Sequence, residues 1–125
     1  MLGTLHIIPA LTKGTSALHR LELLDKPPSV ARLQKAVGGE ITLVPGFDSI
    51  LRGGEVEPCI AFYCETDFKS APNSWANLLW MQALIRKQGF SGSDKHEILT
   101  GPVVVLWGDL EFLKSLDPLL AFLSQ

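Results

Sequence analysis

The sequence predicts a single α+β domain, in which a long helix and the C-terminal helices pack mainly on one face of a mixed or antiparallel sheet of about five strands. The chain has 125 residues, the usual length of one domain. Hydrophobic residues make up 46% of it, enough for a core that needs no disulfide or metal. Short apolar runs alternate with stretches of helical periodicity, and no linker or repeat separates them.

The first half of the chain predicts three strands and one helix. Residues 5–8 form an apolar run, and residues 17–23 alternate in the manner of a half-buried strand hairpinned with the first. Residues 30–37 place apolar side chains on one helical face, behind Ser29 as the capping residue. Residues 41–44 form the third apolar run, so the sheet returns after this helix.

The second half of the chain begins with a polar, glycine-containing segment, residues 48–58, which predicts an exposed loop or loose hairpin. Residues 59–64 are almost wholly apolar, which predicts a central strand covered on both faces. Residues 103–107 are the strongest strand pattern in the chain. Two short helices are then predicted, with Asp109 and Asp117 as their capping residues.

The longest predicted helix is capped by Asn73 and extends to about residue 88. Its core stripe follows helical spacing and consists of Ala76, Leu79, Trp80, Ala83 and Leu84. Leu78, Met81 and Ile85 widen the apolar surface beyond this stripe. The helix is therefore either deeply buried or offers a second contact surface.

Charge and cysteine spacing restrict the classes of function and compartment. The formal net charge of −2 lacks the basic excess of a nucleic-acid binder, so we disfavour nucleic acid as a partner. No apolar run is long enough to span a membrane, and no secretory signal pattern is present. Cys59 and Cys64 would point to opposite faces of one strand, so they cannot bridge each other. We expect a cytoplasmic protein with reduced thiols.

Three stretches together resemble a known family: residues 36–44, residues 61–76 and residues 101–108. In that order they are similar to small uncharacterised proteins, known only as a domain of unknown function, from phages, plasmids and related bacterial elements. The resemblance covers roughly residues 3 to 116. It implies an accessory role in the cytoplasm of a bacterial host cell, and it brings no catalytic residues.

Four residues between the central strand and the long helix are the candidate binding residues: Glu65, Asp67, Asn73 and Trp75. Carboxylates in a loop after a central strand often line a site. Asn73 is also a good helix cap, and solvated acids with a capping asparagine are the structural alternative. Trp75 lies off the centre of the core stripe, and an exposed tryptophan is a good anchor for a partner.

Motifs for catalysis, metals and cofactors are weak. A Cys-His nucleophile would need Cys59 or Cys64, but both lie in an apolar strand where burial is favoured. None of the histidine spacings puts a pair of metal ligands on one face. The glycine pairs lack the context of a phosphate loop. We therefore predict no metal and no cofactor.

The leading hypothesis is a non-enzymatic accessory protein of a phage or other mobile element. It would bind a host protein or a small ligand stoichiometrically, for example to inhibit a host defence system. The alternative is a small hydrolase or transferase that uses Glu65, Asp67 or Cys64. Self-association through the wide helix surface would give a homodimer. Fold class alone does not choose among these functions.

Overall fold

The computed structural model describes residues 1–10, 19–66, 71–88 and 98–123, and it shows an α+β fold built on an antiparallel sheet. The strands are β1 (Gly3–Ile8), β2 (Arg20–Leu24), β3 (Thr42–Leu43), β4 (Ser49–Arg52), β5 (Glu55–Tyr63) and β6 (Val103–Gly108). The helices are α1 (Val30–Val37), α2 (Ser74–Gln88), α3 (Leu110–Ser115) and α4 (Asp117–Leu123). The α+β class predicted from the sequence is confirmed.

The sheet contains six described strands in the order β2-β1-β6-β5-β3, with β4 paired to β5. Every pairing is antiparallel. The predicted hairpin of the first two strands is present, with Ile7 opposite Arg20 and Gly3 opposite Leu24. The segment 48–58 gives the sixth strand, because it forms β4 and the first part of β5 as a paired hairpin.

The helices cover both faces of the sheet, which corrects the expectation that they pack mainly on one. Val103, Val105 and Trp107 face the core beneath α2, whereas Val104 and Leu106 face the core beneath α1, α3 and α4. A strand that is apolar on both sides needs cover on both sides, and β5 and β6 are such strands. Helices α1, α3 and α4 cover one side of these strands, and α2 covers the other.

The predicted caps of α1 and α3 agree with the structure, whereas Asp117, predicted as a cap, is the first residue of α4. The Ser29 side chain accepts a hydrogen bond from the Arg32 amide, and Gly38 ends α1 in the left-handed region at φ 83°. Asp109 caps α3 by accepting from the Phe112 amide at 2.8 Å. The core stripe of α2 is also confirmed: Ala76, Trp80 and Ala83 are buried, and Leu79 and Leu84 pack against them.

The burial predicted for the second strand is wrong. The alternation of residues 17–23 predicts one buried face, but Leu21 and Leu23, which share a face of β2, are 66% and 83% exposed. β2 is the last of the described strands at its end of the sheet. Alternation predicts that the two leucines share a face, as they do, but it does not report whether a helix extends over that face.

Candidate functional site

The outward side of α2 carries large apolar side chains that the core does not cover. Leu78, Met81 and Ile85, which we call the α2 face, are 44%, 52% and 42% exposed. Their spacings of three and four residues place them along one side of the helix, opposite the buried stripe. The second apolar surface predicted from the sequence is therefore exposed.

A groove of about 320 Å³ runs beside this face. Its apolar lining includes Trp80, Met81, Leu84 and Ile98, and we call it the α2 groove. Met81 belongs to both surfaces and joins them. The Trp80 indole donates a hydrogen bond to the Pro45 carbonyl at 2.8 Å, which holds the ring that forms part of the groove wall.

Two asparagines fix the N-terminal end of α2 to the sheet. The Asn73 side-chain amide donates to the carbonyls of Ile8 at 2.8 Å and Gly101 at 2.9 Å. Its Oδ1 accepts from the Ala76 amide at 3.1 Å, which is the predicted helix cap. Asn77 donates to the Leu99 carbonyl and accepts from the Leu99 amide, both at 3.0 Å. The groove is thereby held in a defined place relative to β1 and to the segment before β6.

A pair of histidines lies beside the first turn of α2. His6 Nε2 and His19 Nδ1 are 2.9 Å apart, so one ring donates a hydrogen bond to the other. The edge of the His6 ring meets Trp107 with ring centroids 5.6 Å apart, and His19 meets Trp75 at 6.2 Å. Trp75 is 50% exposed. It therefore connects α2 to the β1–β2 hairpin along the molecular surface.

The electrostatics around this pair disfavour a proton on His6. Burial, followed by the charges of His19 and Arg52, lowers the pKa of His6 to about 4, so its ring is neutral near pH 7. The Arg52 guanidinium lies 4.4 Å from the centroid of Trp107 and donates to Glu57 at 2.9 Å. The buried Trp107 Nε1 has no hydrogen-bond partner among the described residues.

The predicted binding residues occupy different environments. Trp75 is exposed beside the α2 face, and Glu65 is exposed in the turn after β5. Asp67 lies outside the described residues. Asn73 is 1% exposed and its amide is used by the backbone contacts above, so we do not include it in the binding surface proposed below.

The cysteines are free and buried on opposite faces of the sheet, as their spacing predicts. Burial is the main cause that raises the pKa of the Cys59 thiol to about 12. Cys64 Sγ lies 3.5 Å from Thr66 Oγ1. Within the described ranges, no group of three His, Cys, Asp or Glu side chains could hold a metal ion.

The sequence reasoning missed the histidine pair. His6 and His19 are 13 positions apart, and their contact depends on the register of the β1–β2 hairpin. In that register His6 is opposite Leu21, and His19 shares the parity of Leu21. The predicted hairpin is enough to place both rings on one face of the sheet. It is not enough to predict the 2.9 Å contact between them.

Comparisons with protein-family models, with curated proteins and with solved structures found no match to this chain. The resemblance drawn from its three stretches therefore stays a prediction. Among the described helices, none combines the length and the apolar character needed to cross a membrane.

Proposed function

We propose that this protein acts by stoichiometric binding of another protein through the α2 face and the α2 groove. The observation that carries this proposal is the exposure of Leu78, Met81 and Ile85 along a helix whose opposite side is buried. Covering apolar surface contributes roughly 25 cal/mol per Å². A contiguous apolar patch beside a groove is a typical protein contact surface.

The form of the surface favours a protein over a small ligand. The groove volume of about 320 Å³ is at the lower end for a small-molecule pocket, and Met81 continues it into the flat α2 face. A partner helix with apolar residues at spacings of three, four and seven fits such a surface. Its side chains would enter the groove while its flank covers Leu78 and Ile85.

The charge at the C-terminal end of α2 adds orientation to the proposed contact. Arg86 is held by the hydroxyl and carbonyl of Ser49 at 3.0 and 3.1 Å, and these groups are neutral. Its guanidinium charge therefore stays available for an acidic residue of the partner. The sequence predicts a polar rim of Glu65, Asp67 and Asn73; Asp67 lies outside the described residues and Asn73 is buried, so Glu65 is the exposed candidate that remains. The family resemblance implies that the partner is a host protein of a bacterial cell.

To test this, Met81→Lys and the control Phe122→Lys are used as baits in lysate of a candidate host. Native mass spectrometry then gives the number of partner molecules bound to each bait. Phe122 is also an exposed apolar residue, at 57%, but it lies on α4. We expect one partner per binding site, lost with Met81→Lys and retained with Phe122→Lys. Equal capture by both variants would exclude the α2 surface.

The same purified protein also tests the alternative function, a hydrolase or transferase. Turnover of a substrate by the purified protein, abolished by Glu65→Ala or Cys64→Ala in a folded variant, would favour that alternative over binding. Because Cys64 is buried at 4% exposure, folding of its variant has to be confirmed by circular dichroism.

A further inference from the structure

β2 is an edge strand that is exposed on both faces and carries apolar side chains. Among the described strands it ends the row on one side, and Leu21 and Leu23 are 66% and 83% exposed. An edge strand also presents unpaired backbone N–H and C=O groups, which can pair with another strand. At the other end of the row, β3 has only two residues, so it offers a much shorter edge for pairing with another strand.

We propose that β2 pairs antiparallel with β2 of a second copy, with Leu21 on the two-fold axis. This interface is separate from the α2 surface and does not depend on the function proposed for it. In this register Leu21 lies opposite Leu21 of the second copy, and Arg20 lies opposite Glu22 of the second copy. The five-strand rows of the two copies join into one continuous sheet.

Charge selects this register among those that the strand allows. The two-fold axis creates two Arg20–Glu22 pairs, and opposite charges across strands are favourable. Glu22 is positioned for this contact, because Arg32 of α1 holds its carboxylate at 2.6 Å. Moving the axis to Glu22 places the two glutamates directly opposite each other, which is unfavourable. A slip of one residue places leucine against a charged side chain.

The other face of the paired strands is apolar in the same register. Leu23 lies opposite His19 of the second copy, on either side of the central leucine pair. His19 is already held by His6 at 2.9 Å, so the second copy meets an ordered ring. Pairing covers part of the exposed surface of Leu21 and Leu23, which contributes to the driving force for association.

Sedimentation equilibrium over a concentration series tests the pairing with charge-reversal variants. We expect a dimer for the wild type and a dissociation constant raised about tenfold or more for Arg20→Glu and for Glu22→Arg, because each places like charges opposite each other twice. The triple variant Arg20→Glu/Glu22→Arg/Arg32→Glu restores both pairs across the axis and the ion pair between positions 22 and 32, and should dimerise again. Lys26→Glu, which reverses an exposed charge beyond the end of β2, should behave as the wild type.

A monomeric wild type at the highest soluble concentration, single variants that dimerise normally, or a triple variant that stays monomeric would each overturn the proposal. Leu21→Lys provides a second route, since it changes an exposed side chain and places two charges on the axis. Met81→Lys should leave the dimer intact, and Arg20→Glu should leave capture through α2 intact. The two measurements therefore test the β2 interface and the α2 surface independently of each other.

Discussion

At the scale of single residues, burial and two neighbouring side chains disfavour a proton on His6. Its ring is partly buried, it contacts His19, and it lies near the Arg52 charge, and these causes together lower the pKa of His6 from 6.5 to about 4. The unfolded chain would bind a proton at the ordinary value. Between pH 6.5 and about 4 the unfolded state therefore holds more protons than the folded state at this position.

The free energy of unfolding should consequently fall as the pH is lowered through this window. We expect the urea midpoint of the wild type to drop between pH 7 and pH 5, and the drop to be smaller in His6→Gln, which has no titrating ring at that position. The comparison stays above the range where carboxylates dominate, including Asp109, whose pKa is lowered by its hydrogen bonds with the Phe112 and Leu2 amides. An equal drop in both proteins would show that His6 is protonated in the folded state.

At the scale of elements, α2 shows what periodicity predicts and what it omits. The spacing of Ala76, Trp80 and Ala83 predicts the buried side, and the same spacing predicts that Met81 lies away from it. It does not predict which face of the sheet the helix covers, because that depends on the connections around it. The contact of His6 with His19 was missed for a related reason, since it needs the register of two strands.

The start of α2 provides a direct test of how the helix is attached. Asn73→Ala removes the cap for the Ala76 amide and leaves the carbonyls of Ile8 and Gly101 without their donor in a buried place. Loss of a cap costs about 0.5–2 kcal/mol, and unsatisfied buried groups add about 1–3 kcal/mol. We expect a loss on the order of 2–4 kcal/mol in chemical unfolding. Ser74→Ala, one residue further and exposed, should be close to neutral.

At the scale of the whole molecule, two cores share one sheet. Val104 of β6 faces the core of α1, α3 and α4, while its neighbours Val103 and Val105 face the core of α2. The same strand therefore depends on the packing of both sides. We therefore expect the packing beneath α2 to be coupled to that of the helices on the opposite face.

This coupling predicts that a destabilising substitution in one core also lowers the unfolding midpoint of the other core. Leu33→Ala in α1 should cost about 2–5 kcal/mol, because Leu33 is fully buried. Trp80 and Trp107 both lie in the other core, so their fluorescence reports on the side that was not changed. At one protein concentration, the fluorescence and far-UV circular dichroism midpoints should coincide in the wild type and fall together in Leu33→Ala. Leu110→Ala, at a residue 68% exposed, should shift neither midpoint; a fluorescence midpoint unmoved by Leu33→Ala would show that the two cores unfold separately.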